Sequence, residues 1–113
     1  MWANFMHIVK EGFRYIIHLD KDSYILIAGS RESQVFEILH KHLGDIIGIA
    51  RLRAYIRSIG KDVTDNSITH YVNSLKWRLD RPKCPLRIEP IGKNLGLVGY
   101  RMIELPEEKA NAA

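Results

Sequence analysis

One stretch restricts the fold more than any other: residues 65–79, DNSITHYVNSLKWRL. Ile68, Val72, Leu75 and Leu79 recur at i, i+4, i+7 and i+11, a single apolar stripe at the helical period, with Tyr71 at its border. The opposite face carries Asn66, His70, Asn73 and Trp77, with Ser74 beside them. Thr64 or Asp65 supplies the N-cap. Lys76, Arg78 and Arg81 gather at the carboxyl end, where cations complement the helix dipole. Such a helix is about 22 Å long. A row of amides, hydroxyls and an imidazole above an apolar face can lie in a DNA major groove. The same pattern also describes an ordinary surface helix with a solvated polar face, so the helix alone does not decide between them.

The distribution of charge separates the two readings further. Residues 1–50 hold five Lys/Arg and six Asp/Glu, residues 51–101 hold eleven and four, and residues 102–113 hold one and three. The whole positive excess of the chain therefore falls in the segment that contains the helix. A localised basic surface attracts polyanions, and phosphate neutralisation supplies most non-specific nucleic-acid affinity. An acidic protein partner would satisfy it too. With 113 residues the chain is long enough for one domain with a real core. No apolar run approaches the ~18 residues of a membrane span. The amino terminus lacks the basic start, apolar core and cleavage site of a signal peptide. A cytoplasmic location and no membrane partner are the expectation. Cys84 is the only cysteine, which rules out an internal disulfide and leaves an inert loop thiol as its plain reading.

Around the helix the chain reads in order. Residues 5–9, 13–19 and 24–28 are short runs of aromatic and β-branched residues, expected to form a small antiparallel sheet of two or three strands. One face should meet the core and the other water. Glu11-Gly12 and Asp20–Ser23 are the turns. Ser30 is a plausible N-cap for a helix over residues 31–43, with Val35, Phe36, Ile38, Leu39, His42 and Leu43 inward and Gly44 beyond its end. His40 and His42 lie two apart, point in different directions and make no metal pair. Residues 45–48 read as a short apolar connection. Residues 49–57 form a second helix, with Ile49, Leu52, Tyr55 and Ile56 inward and Arg51, Arg53 and Arg57 outward. A loop with Gly60 leads into the long helix, an arrangement that fits a helix-turn-helix. Pro82 and Pro85 stop helical structure. Residues 86–91 and 97–103 then form a β-hairpin with a basic tip, and residues 104–113 form a flexible tail.

Sheet, helix, helix, long helix and hairpin is the order of a winged helix, an α+β fold expected here as a single domain over residues 1–103. At this point the chain resembles the DNA-binding domain of OmpR/PhoB-type response regulators, over roughly residues 13–102. The resemblance rests on Phe36-Glu37-Ile38-Leu39 in the first helix. It rests also on Ile68, Val72 and Leu75-Lys76-Trp77-Arg78-Leu79, similar to spaced aliphatics before Leu-Arg-Lys-x-Leu, and on Val98-Gly99-Tyr100-Arg101-Met102, similar to a Gly-x-Gly-Tyr-Arg-aliphatic ending. It implies a four-stranded amino-terminal sheet, a third helix in the major groove and a wing on the backbone or minor groove. Carried over residue by residue, Asn66, Ser67, Thr69, His70, Asn73, Ser74 and Trp77 would face double-stranded DNA. Lys93 and Asn94 would sit at the wing tip, and the loop at residues 57–63 would occupy the place where relatives contact RNA polymerase. Relatives bind tandem half-sites about one helical turn apart, which implies a homodimer on DNA.

The departures are specific. Asn66 and Ser74 stand where many relatives carry arginines, Gly96 and Leu97 where Arg-Gly is expected, and Trp77 replaces a basic residue. Asn can still pair bidentately with adenine, worth ~1–3 kcal/mol of discrimination. Phosphate contacts are expected from Arg51, Arg53, Lys76, Arg78 and Lys93, giving a salt slope of about −4 to −5. An indole is costly to leave in water, so Trp77 is expected to pack on its own sheet or hairpin, on a second protomer, or on DNA. His70 places a group that titrates near neutrality on the outer face. Only about 30 residues precede the first helix, too few for a receiver domain. A complete small regulator and an excised domain both remain open. A complete regulator of this kind would be controlled by its amount, by dimerisation or by a partner. The competing function is a winged helix used as a protein-interaction module, such as an antirepressor or an inhibitor of a host regulator. Enzymatic motifs are missing: there is no HExxH, no Cys/His metal spacing and no glycine-rich phosphate loop, so no cofactor or metal is expected.

Overall fold

Alternation along the first three strands builds one layer. A computed structural model describes residues 6–58, 62–92 and 96–106. Strands β1 (His7–Glu11), β2 (Arg14–His18) and β3 (Tyr24–Ile27) form an antiparallel meander in the order β1-β2-β3. Ile8 pairs with Ile17, and Ile17 with Ile25, so Ile17, Ile25 and Tyr15 turn to the core while Ile16, His18, Tyr24 and Leu26 turn away from it. The first strand lies two residues later than expected. Gly12 takes a positive φ of 62°, so the reversal starts there rather than at Glu11. The four-stranded sheet implied by the resemblance is a three-stranded one among the described residues.

Three helices form the middle. Helix α1 (Ser30–Lys41) is capped by Gly29, not Ser30, with no side-chain cap bond. It ends before His42 and Leu43, and Leu43 is exposed instead of inward. Gly44 N–H donates to the Met102 carbonyl at 2.8 Å, which turns the chain out of the helix two residues earlier than its apolar pattern suggests. Helices α2 (Ile49–Arg57) and α3 (Asp65–Leu79) have the expected bounds. Leu52 and Ile56 are buried from α2, and Ile68, Val72, Leu75 and Leu79 from α3. Tyr55 and Ile49 are partly buried against them.

The connection at residues 45–48 is in fact a strand. β4 (Ile46–Gly48) pairs antiparallel with β6 (Gly99–Glu104), which also pairs with β5 (Leu86–Ile91), giving the order β4-β6-β5. Three residues show no periodicity by themselves, and their partner lies more than fifty positions away, so no local signal marked them. Gly99 faces Gly48, and a Cβ on Gly99 would lie 2.3 Å from the Ile47 carbonyl oxygen. The expected strand at residues 97–103 accordingly begins at Gly99.

One core joins all of this. Phe36, Leu39, Ile47, Leu52, Ile56, Ile68, Leu75, Leu86 and Met102 have no exposed surface, and Cys84 joins them as a buried thiol whose ionisation burial opposes. Among the described residues every buried side-chain N or O atom has a hydrogen-bond partner, no helix is long and apolar enough to cross a membrane, and no cluster of three metal-ligating side chains occurs.

Candidate nucleic-acid interface

The long helix starts on Thr64. Its Oγ1 accepts from the Ser67 N–H at 3.1 Å and so satisfies one of the orphan donors of the first turn. The Thr64 hydroxyl donates in turn to Ser67 Oγ. Thr69 donates back to the Asp65 carbonyl at 3.1 Å. The Ser67 and Thr69 hydroxyls are therefore engaged at the helix start, and both residues are half-buried. At the other end, the Arg87 guanidinium donates to the Cys84 and Leu86 carbonyls at 2.7 and 2.8 Å and reaches Leu79 O at 3.4 Å. A cation thus closes the carboxyl terminus, where the dipole favours it.

Between these ends the outward stripe is Asn66, His70, Asn73 and Trp77, all exposed. Their spacing places them in one row opposite the buried stripe. Trp77 is 80% exposed. The expectation that it packs on its own sheet or hairpin is therefore wrong: α3 already fills its contacts with Leu75 and Leu79, and the indole projects between two clefts. One cleft, of about 350 Å³, lies along β5 and is lined by Asn73, Lys76, Arg87 and Ile88. The other, of about 510 Å³, lies along β3 and is lined by Tyr24, Leu26, Arg78 and Arg81.

The arginines divide into two groups. Arg53 is tied to the start of α3, with Nε donating to Val63 O and Nη1 to Asp65 Oδ1, both at 3.1 Å. Arg57 pairs with Asp62 at 2.7 Å. Arg78 Nε donates to Glu32 Oε2 at 2.7 Å, and Ser74 Oγ donates to Glu32 Oε1 at 2.8 Å. By contrast, among the described residues Arg51 meets only the His42 ring, at 3.2 Å, and lies exposed. Lys76 is half-buried beside the β5 cleft. Lys93 and Asn94 lie outside the described residues, as do residues 59–61 of the 57–63 loop.

The structure thus brings Asn66, His70, Asn73 and Trp77 together on one face. Ser67 and Thr69 stand at its margin, Ser74 and Arg78 are bound to α1, and Arg53 is bound to the inter-helix turn. Two participants escaped sequence reasoning. Glu32 lies 42 and 46 positions from the side chains it holds, and nothing local announces that pairing. Arg87 could have been found, as a basic residue just past a helix end. No known protein-family model matches this chain, and no curated protein matches its sequence.

Proposed function

We propose that the chain is a sequence-specific, double-stranded DNA-binding transcription regulator with a winged-helix architecture similar to that of OmpR/PhoB-type effector domains. In this reading α2 and α3 form the helix-turn-helix, α3 enters the major groove, and the β5–β6 hairpin lies on the backbone or minor groove as the wing. The observation that carries the proposal is the unbroken exposed row Asn66, His70, Asn73 and Trp77 on a helix whose other face is fully buried. Amides in such a row can address adenine edges, and the Trp77 ring offers apolar surface to a thymine methyl. Arg51, Lys76 and Lys93 supply phosphate contacts. Arg53 and Arg78 already hold carboxylates, so the expected salt slope falls to about −3. A homodimer on tandem half-sites and a contact between the 57–63 loop and RNA polymerase are part of the same proposal.

One observation favours the protein-interaction reading instead: the exposed indole beside two clefts, on a face where Ser74 and Arg78 are internally engaged. Selection from a random-sequence duplex pool at two salt concentrations separates the two. The DNA reading expects an enriched motif and an affinity that falls as salt rises. No enrichment and no salt dependence would reject it and turn attention to a protein partner.

A further inference from the structure

Glu32 belongs to the first turn of α1, yet both of its oxygens serve α3. Its side chain is only 13% exposed, against 41% for Arg78. The carboxylate takes one hydrogen bond from Ser74 and a charge-assisted one from Arg78. Ser74 and Arg78 are one turn apart on the flank of the helix that adjoins the outward row. Without Glu32 that flank would present a free guanidinium and a free hydroxyl beside Asn73 and Trp77.

From this geometry we infer that Glu32 limits the electrostatic share of DNA binding: it withholds Arg78 and Ser74 from the DNA backbone. The inference rests on the DNA-binding reading of α3 and adds to it a division of labour. A guanidinium attracts any phosphate regardless of sequence, and each one engaged steepens the salt dependence by about 0.9. A carboxylate bound to it cancels that charge and repels an approaching phosphate. The outer face then keeps uncharged amides and an indole, whose contacts depend on base identity, while sequence-independent attraction falls to the remaining cations. A phosphate contact adds to motif and scrambled binding alike, so Glu32 lowers both and leaves the discrimination between them to the amides and the indole.

Glu32→Gln keeps an acceptor for one of the two donors and removes the charge. Binding of this variant to a duplex of scrambled sequence, compared with wild type over a salt series, should become stronger by about five-fold at 0.15 M salt. Its slope should steepen by about one unit. Binding to the selected motif should strengthen by about the same factor, leaving the preference for it over scrambled duplex unchanged. Adding Arg78→Ala should cancel the gain, whereas Arg78→Ala alone should barely move the wild-type slope. Glu11→Gln, which removes an equal charge from the exposed Glu11–Arg14 pair on the β1–β2 hairpin, should leave the slope unchanged. A purely structural role for Glu32 would weaken binding to motif and scrambled duplex alike and leave the slope as it was; that result, or a slope that steepens equally in Glu11→Gln, overturns the inference. Failure of the underlying reading is distinct, because wild type itself would then show neither motif preference nor salt dependence.

Discussion

At the scale of single residues, Glu37 is an acceptor shared by three elements besides its own. It takes hydrogen bonds from Tyr15 at 2.5 Å, from Tyr55 and from Lys10 at 2.9 Å, joining β1, β2 and α2 to α1. The tyrosine hydroxyls, Tyr15 first, and then Lys10 hold its carboxyl down at about 2. Burial first, and then the same carboxylate, pushes Tyr55 up to about 12 and Tyr15 well above the usual tyrosine range. A folded carboxyl held below its unfolded value contributes stability that is complete above the unfolded pKa and is lost as pH falls through the folded one. Melting temperature should therefore decline between about pH 4.5 and pH 2 more steeply in wild type than in Glu37→Gln. Equal slopes in thermal melts would contradict this assignment. Trp77 belongs at the same scale. Because it covers little of its own chain, Trp77→Ala should change unfolding free energy by no more than about 0.5 kcal/mol in urea titrations, while altering the motif recovered from the duplex pool. A loss of several kcal/mol would mean that the indole packs after all.

Among the elements, Gly99 marks the closest approach. A Cβ there meets the Ile47 carbonyl and the Gly48 Cα at under 3 Å, all of them backbone and unable to swing aside. Gly99→Ala should cost on the order of 2–3 kcal/mol, read as a lower urea midpoint. A midpoint unchanged in Gly99→Ala would show that β4 and β6 can separate freely. The same elements show what could be read from the chain in advance. Helices α2 and α3 were legible to the residue because a buried stripe at period 3.6 repeats within each of them. β5 was legible because it lies between a proline-rich stop and a glycine turn. β4 was not, since three residues carry no period and their reason for being extended is a partner at the far end of the chain. The end of α1 was misread for a related reason: His42 and Leu43 continue its apolar pattern, but Gly44 is pulled out by Met102. The outward row of α3 was visible in the sequence, whereas the engagement of its flank by Glu32 depends on how α1 crosses it.

For the molecule as a whole, the core is a single contiguous cluster that draws on both sheets and all three helices. Unfolding should therefore be one cooperative transition, with far-UV circular dichroism and tyrosine fluorescence tracing the same curve. Leu75→Ala, at the fully buried centre of α3, should shift both probes together by about 2–5 kcal/mol. Separate transitions would mean that the amino-terminal meander is an independent unit. The strand order β4-β6-β5 carries a further consequence, for synthesis. The central strand of that sheet is the last of its three to leave the ribosome. Until Gly99–Glu104 has been made, β4 and β5 each lack the neighbour they hydrogen-bond to. The amino-terminal meander pairs only consecutive strands and can close while translation continues. A nascent chain stalled before Gly99 therefore carries two open strand edges and an uncovered side of α1. For that interval it is a client for chaperones and proteases rather than a folded domain.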